Sequence, residues 1–119
     1  MERLRRRADF KAVAGGRRVQ RPGFVLQALA VSGREAPQPP RIGFTVTRKT
    51  GNAVVRNRIR RRLKAAVNVV GGHLETATDY VLVGRRAALT LQFQRLVTDL
   101  ETGLAALSRN RQAPDRSVP

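Results

Sequence analysis

The chain has 119 residues, 41% of them hydrophobic, which suffices for one modest core and not for two. It carries 24 Lys plus Arg against 8 Asp plus Glu, a formal charge of +16, with no Cys, no Trp and a single His. That inventory excludes a disulfide framework, thiolate chemistry and Cys-based zinc sites, and the charge calls for a polyanion to relieve self-repulsion.

The opening Met1-Glu2-Arg3-Leu4-Arg5-Arg6-Arg7 is basic without a following apolar run, so no secretory signal is expected. No window approaches bilayer-spanning length, and a soluble cytoplasmic location is the expectation. Residues 9–14 set Phe10, Val13 and Ala14 at helical spacing ahead of Gly15-Gly16, which predicts a short first helix. A short strand is expected around residues 18–20. Residues 24–31 are apolar apart from Gln27, and 42–47 alternate as Ile-Gly-Phe-Thr-Val-Thr; both predict strands. Between them Gly33, Pro37, Pro39 and Pro40 block a helix, so these two strands are expected to form a hairpin with a long connection. After the turn signal Gly51-Asn52, the residues Val55, Ile59, Leu63, Ala66, Val67 and Val70 fall in one arc at about 100 degrees per residue. This is an amphipathic helix, ended by Gly71-Gly72. Residues 80–83, Tyr-Val-Leu-Val, predict a buried strand able to pair in parallel with the strand before the central helix. From Thr90, as cap, Phe93, Leu96, Val97, Leu100, Leu104 and Leu107 mark a last amphipathic helix. Residues 108–119 lose this periodicity and predict a disordered tail beyond a single domain of residues 1–107. The order α-β-β-β-α-β-α implies an α+β sandwich with helices packed on one sheet.

The chemistry concentrates on the central helix. Arg56, Arg58, Arg60, Arg61, Arg62 and Lys64 place six cations within nine residues, and no acidic residue intervenes between Glu35 and Glu75. Like charges at i,i+4 oppose helix formation by a few tenths of a kcal/mol per pair, a cost that a bound phosphate backbone removes. A solvated helix face is ordinarily mixed in sign. The preponderance of Arg over Lys suits phosphate oxygens and base stacking. No Cys-His pair, acid pair or metal triad is evident, and His73 follows Gly71-Gly72 in an expected loop. No catalytic residue and no protein metal site are therefore expected.

The stretch Arg48-Lys49, Gly51-Asn52-Ala53-Val54, Arg56-Asn57-Arg58 and Arg60-Arg61-Arg62-Leu63-Lys64 resembles the signature of the bacterial ribonuclease P protein subunit. The likeness runs from Leu4 to Phe93 and takes in Asp9-Phe10, Phe24-Val25-Leu26, Gly43 and Tyr80-Val81-Leu82-Val83-Gly84-Arg85-Arg86. It implies a mostly antiparallel sheet with an unusual left-handed β-α-β crossover. It also implies a monomeric protein cofactor, one per catalytic RNA, that helps remove the 5′ leader of precursor tRNA, with Mg2+ held mainly by the RNA. On this resemblance Arg56, Asn57, Arg58, Arg60, Arg61 and Lys64 would meet the catalytic RNA. Phe10, Val25, Gln27, Thr45, Thr47, Arg48 and Lys49 would form the leader cleft, with Arg85 and Arg86 as further RNA contacts. Strand parity points the same way, since Ile42, Phe44 and Val46 facing the core would turn Gly43, Thr45 and Thr47 outward. Ala14 and Gln27 stand where such proteins often carry aromatic rings, leaving Phe10 as the clearest stacking candidate. A structural protein of ribosomal type shares the charge and size; only the ordered signature separates it. A DNA-binding reading lacks a paired-helix turn or dimer seam.

Overall fold

Five strands build one sheet. In a computed structural model that describes residues 2–31 and 39–112, the strands are β1 (Glu2–Arg3), β2 (Arg17–Gln20), β3 (Phe24–Ala30), β4 (Arg41–Thr45) and β5 (Thr78–Gly84). Their order is β1-β4-β5-β3-β2. The β2–β3 and β3–β5 ladders are antiparallel, and the β4–β5 and β1–β4 ladders are parallel. Three α-helices, α1 (Arg7–Ala14), α2 (Ala53–Val70) and α3 (Phe93–Gln112), complete the α+β fold.

One expected pairing is corrected. The strands flanking the proline-bearing connection do not form a hairpin, because β5 lies between β3 and β4 and bonds to both. The reason is burial: Tyr80-Val81-Leu82-Val83 is apolar on both faces, and a strand of that kind belongs at the centre of a sheet covered on both sides. Pairing of the strands around the central helix is parallel, as expected. Gly33 and Pro37 of the connection lie outside the described residues. The two-residue strand β1 was not foreseen; its ladder with Arg41 and Ile42 is too short to show a pattern.

The sheet is covered on both faces. On one, Phe24, Leu26, Ile42 and Leu82 meet Ile59 and Leu63 of α2 and Leu96 and Leu100 of α3 in the main core. On the other, α1 lies over a smaller cluster of Leu4, Val13 and Val81, joined by Phe10, Leu29 and Val83. Side-chain alternation assigns the α1 face row by row: Gln27, Val81 and Gly43 stand abreast on β3, β5 and β4, and Val25, Val83 and Thr45 form the next row. A Cβ at position 84 would come within 2.7 Å of Ile59 Cγ2 and 2.9 Å of Val46 Cγ2, so Gly84 lets α2 settle directly on β5.

The last helix differs from expectation at both ends. Thr90 ends the 3-10 turn Arg86–Leu89 as its C-cap, α3 begins at Phe93, and Phe93 is 39% exposed rather than part of the buried stripe. The helix continues to Gln112, so residues 108–112 are helical and not tail; residues 113–119 lie outside the described residues. The periodicity failed as a guide there because Ser108, Arg109, Asn110 and Arg111 continue the helix after its buried stripe ends at Leu107. No helix among the described residues is long and apolar enough to cross a membrane.

Candidate nucleic-acid interface

Helix α2 starts from a cap that the sequence writes plainly. Asn52 is its N-cap, and Asn52 Oδ1 accepts a hydrogen bond from the Val55 amide at 2.9 Å. No acidic residue occupies its first turn. The N-terminal end of a helix dipole is positive, so Arg56 and Arg58 sit where cations are least favoured and an anion most favoured.

The cations of α2 have different occupations. Arg58 and Arg61 are exposed and engage none of the described residues. Arg60 donates to Asn57 Oδ1 at 2.9 Å, and Lys64 Nζ lies 5.9 Å from the centroid of the Phe44 ring, which Arg3 also approaches at 5.8 Å. Asn57, Arg60, Arg61 and Lys64, with the exposed Val54, line a shallow groove of about 390 Å³. Arg56 is half-buried and its Nε donates to Gly51 O at 3.2 Å, steadying the loop before the helix. Arg62 turns inward: its guanidinium donates to Leu91 O, while its Nε is buried without a partner.

A second cationic group gathers at one end of the sheet. Because β4 and β5 are parallel, their C-terminal ends coincide, and α2 begins beside them. Thr47 and the 3-10 turn Arg48–Thr50 follow β4, with Thr47, Arg48 and Lys49 exposed. Arg85 and Arg86 follow β5, both exposed, and Arg86 Nη1 donates to Thr50 O at 2.8 Å.

On the α1 face lies a cleft of about 470 Å³. Phe10, Ala14, Gln27, Thr45, Val81 and Val83 line it, with Arg5 and Arg7 also on its wall. Val25, in the same row as Val83 and Thr45, is half-buried beside it. Phe10 lies over Gly43, where a Cβ would come within 2.5 Å of Phe10 Cζ, so glycine makes the seat for the ring. The ring is therefore both a packing element of the small cluster and a wall of the cleft. Away from the cleft, Arg41 donates to both Asp79 oxygens at 2.9 and 2.7 Å and approaches Asp9 at 3.6 Å. The hydrogen bonds to Asp79, opposed in part by burial, raise the Arg41 pKa above its ordinary value. This pairing ties the carboxylates of Asp9 and Asp79 to one guanidinium. Arg5 and Arg7 were missed as cleft residues, since a basic run before a helix carries no periodicity to place it.

The expected RNA-facing set thus separates into the exposed face of α2 and the cleft on the other side of the sheet, with Arg48, Lys49, Arg85 and Arg86 at the shared end. Among the described residues no group of three or more His, Cys, Asp or Glu side chains could hold a metal ion.

Fold and surface define a small basic α+β protein with cationic groups on both sides of one sheet. The Ribonuclease P family model matches residues 1–108. The chain is 53% identical over 104 residues to the ribonuclease P protein component of Gluconacetobacter diazotrophicus, spanning 86% of this chain and 87% of that one. It is 42% identical to that of Paramagnetospirillum magneticum, over 100% of this chain and 96% of the other. Among solved structures, the RNase P protein of Staphylococcus aureus superposes with a TM-score of 0.71 at 28% identity, covering 90% of this chain and 95% of that one. The Thermotoga maritima RNase P protein gives 0.70 at 25% identity, covering 86% and 94%. The chain belongs to the ribonuclease P protein family.

Proposed function

We propose that this chain is the protein component of a cytoplasmic ribonuclease P, binding a catalytic RNA through α2 and the 5′ leader of precursor tRNA through the cleft under α1. The observation that carries this reading is the exposed face of α2, where Arg58 and Arg61 stand without partners among the described residues, Arg61 lining the groove with Asn57 and Lys64. Cations held at a helix N-terminus without countercharge are matched to a phosphate backbone. In this reading the protein is one copy per catalytic RNA and performs no bond-breaking step. Its residues bind and orient the substrate, while hydrolysis belongs to the RNA and the Mg2+ that the RNA holds. Arg48, Lys49, Arg85 and Arg86 bridge the two faces along the sheet end.

The test is reconstitution with the cognate catalytic RNA at low magnesium. The protein should restore leader removal and raise affinity for precursor over mature tRNA, while the RNA-free protein cleaves nothing. Cleavage by rigorously RNA-free protein, or no effect on the RNA's activity, would overturn the reading.

A further inference from the structure

Helix α1 carries the Phe10 wall of the cleft, yet little within α1 holds it in place. At eight residues it is too short to be stable alone, its N-cap Arg6 makes no side-chain capping bond, and Val13 is its one buried residue. Its position over the sheet must therefore come from tertiary contacts. Val13 enters the small cluster, and the Phe10 ring rests on Gly43. The third contact is polar: Asp9, next to Phe10 in the chain and 28% exposed, approaches Arg41 Nη1 at 3.6 Å.

Arg41 is a firm anchor for that contact. Residues 41 and 79 lie two before Gly43 and Val81, so the register sets Arg41 and Asp79 abreast on the α1 face, about 7 Å along the strands from the Gly43 row. Arg41 Nε and Nη2 donate to the Asp79 carboxylate, which leaves Nη1 for Asp9. Glu2, opposite Arg41 in the β1–β4 ladder, adds a third negative charge. Three of the chain's eight acidic residues thus act on one guanidinium in a protein with 24 Lys and Arg. A guanidinium engaged in this way is withheld from RNA phosphates. Its planar fork serves two carboxylates in fixed directions, which the point charge of an ammonium does not.

We propose that Asp9 and Arg41 are positioning residues for the cleft: their ion pair sets α1 on the sheet, and with it the Phe10 ring, without either side chain touching RNA. The inference rests on the leader-cleft reading above. The sign of the effect separates it from simple electrostatics. Removing a carboxylate beside a polyanion-binding surface should strengthen RNA binding of every kind, whereas loosening α1 should weaken the binding of leaders alone.

The experiment measures affinities of the reconstituted holoenzyme for mature tRNA and for precursor tRNAs of graded leader length, at a temperature below the melting transition of every variant. Asp9→Asn should lower affinity for long-leader substrates about two- to fivefold, the range of a partly exposed ion pair, and leave mature tRNA unchanged. Arg41→Lys, which keeps the net charge, should show the same selective loss. Were Asp9 needed only to complement the positive end of the α1 dipole, Arg41→Lys would lose nothing. In a Phe10→Ala background Asp9→Asn should cost no further leader affinity, since it acts through the ring. Unchanged or raised leader affinity in Asp9→Asn, an equal fall for mature and precursor tRNA, no loss in Arg41→Lys, or full additivity with Phe10→Ala would overturn the positioning role, while leader-length dependence in the wild type still upheld the cleft. Absence of that dependence in the wild type would overturn both.

Discussion

Arg61 and Arg62 are neighbours in one basic run, yet the fold gives them opposite tasks. Arg61 is exposed on the groove side of α2, whereas Arg62 reaches back to Leu91 O and holds the segment between β5 and α3 against α2. Arg61→Ala should leave the stability within about 0.5 kcal/mol of wild type, since its side chain is exposed and makes no hydrogen bond or ion pair with the described residues. It should weaken assembly with the catalytic RNA and reduce the salt dependence by about 0.7 to 0.9 of a log-log unit, one phosphate contact. Arg62→Ala should do the reverse, costing roughly 1 to 3 kcal/mol of stability through the lost bond and packing and leaving the salt slope unchanged. Thermal melts beside RNA titrations at several salt concentrations decide the matter, and equal salt slopes for the two variants would refute the division. The family resemblance left Arg62 out of the set expected to meet the catalytic RNA. It could not name Leu91 as the partner, because that contact joins segments far apart in the chain.

At the scale of elements, two glycines seat two helices on opposite faces of the sheet. Gly84 lies beneath α2 and Gly43 beneath Phe10 of α1, and a Cβ at either would meet its neighbour at 2.7 or 2.5 Å. Gly84→Ala should push α2 away from β5 inside the main core and cost about 1 to 3 kcal/mol of stability, as overpacking does. It should weaken catalytic-RNA assembly through the displaced helix. Gly43→Ala should act on the smaller cluster, lifting the Phe10 ring and reducing affinity for long-leader substrates more than assembly. Melting curves combined with affinities for precursor tRNAs of graded leader length check this pair; similar losses on both readouts for both variants would mean that the two faces are not independent. The long helices and the central strands were legible because each carries a full period of buried residues: Ile59, Leu63 and Val67 on α2, Tyr80 and Leu82 on β5. Insertion of β5 between β3 and β4 was written in its two-faced apolarity but was outweighed by the adjacency of the two strands in the chain. The cleft was half legible, since parity turned Thr45 and Gln27 toward one surface, while α1 and the Arg5–Arg7 wall could be placed only by tertiary packing.

For the whole molecule the decisive quantity is a charge of +16 on a body whose longest dimension is 39 Å. Eight acidic residues face 24 Lys and Arg, and Arg41 alone takes up two of them, Asp9 and Asp79, so most of the Arg side chains have no anion of their own. At about 0.01 M salt the Debye length is about 30 Å, comparable with the molecule, and nearly every cation repels every other; at about 0.1 M it is about 10 Å and only near neighbours interact. Self-repulsion of this kind is greatest in the compact state and relaxes when the chain expands. Raising the salt over that range should therefore raise the melting temperature of the free protein. The same salt should weaken its complex with the catalytic RNA, because releasing counterions gains less entropy as their bulk concentration rises. One cause thus produces two opposite slopes, and measuring both on one preparation is the check. A melting temperature that fell with salt would mean that attractive ion pairs dominate the folded state, and the excess of positive charge would no longer be explained as a surface kept for a polyanion.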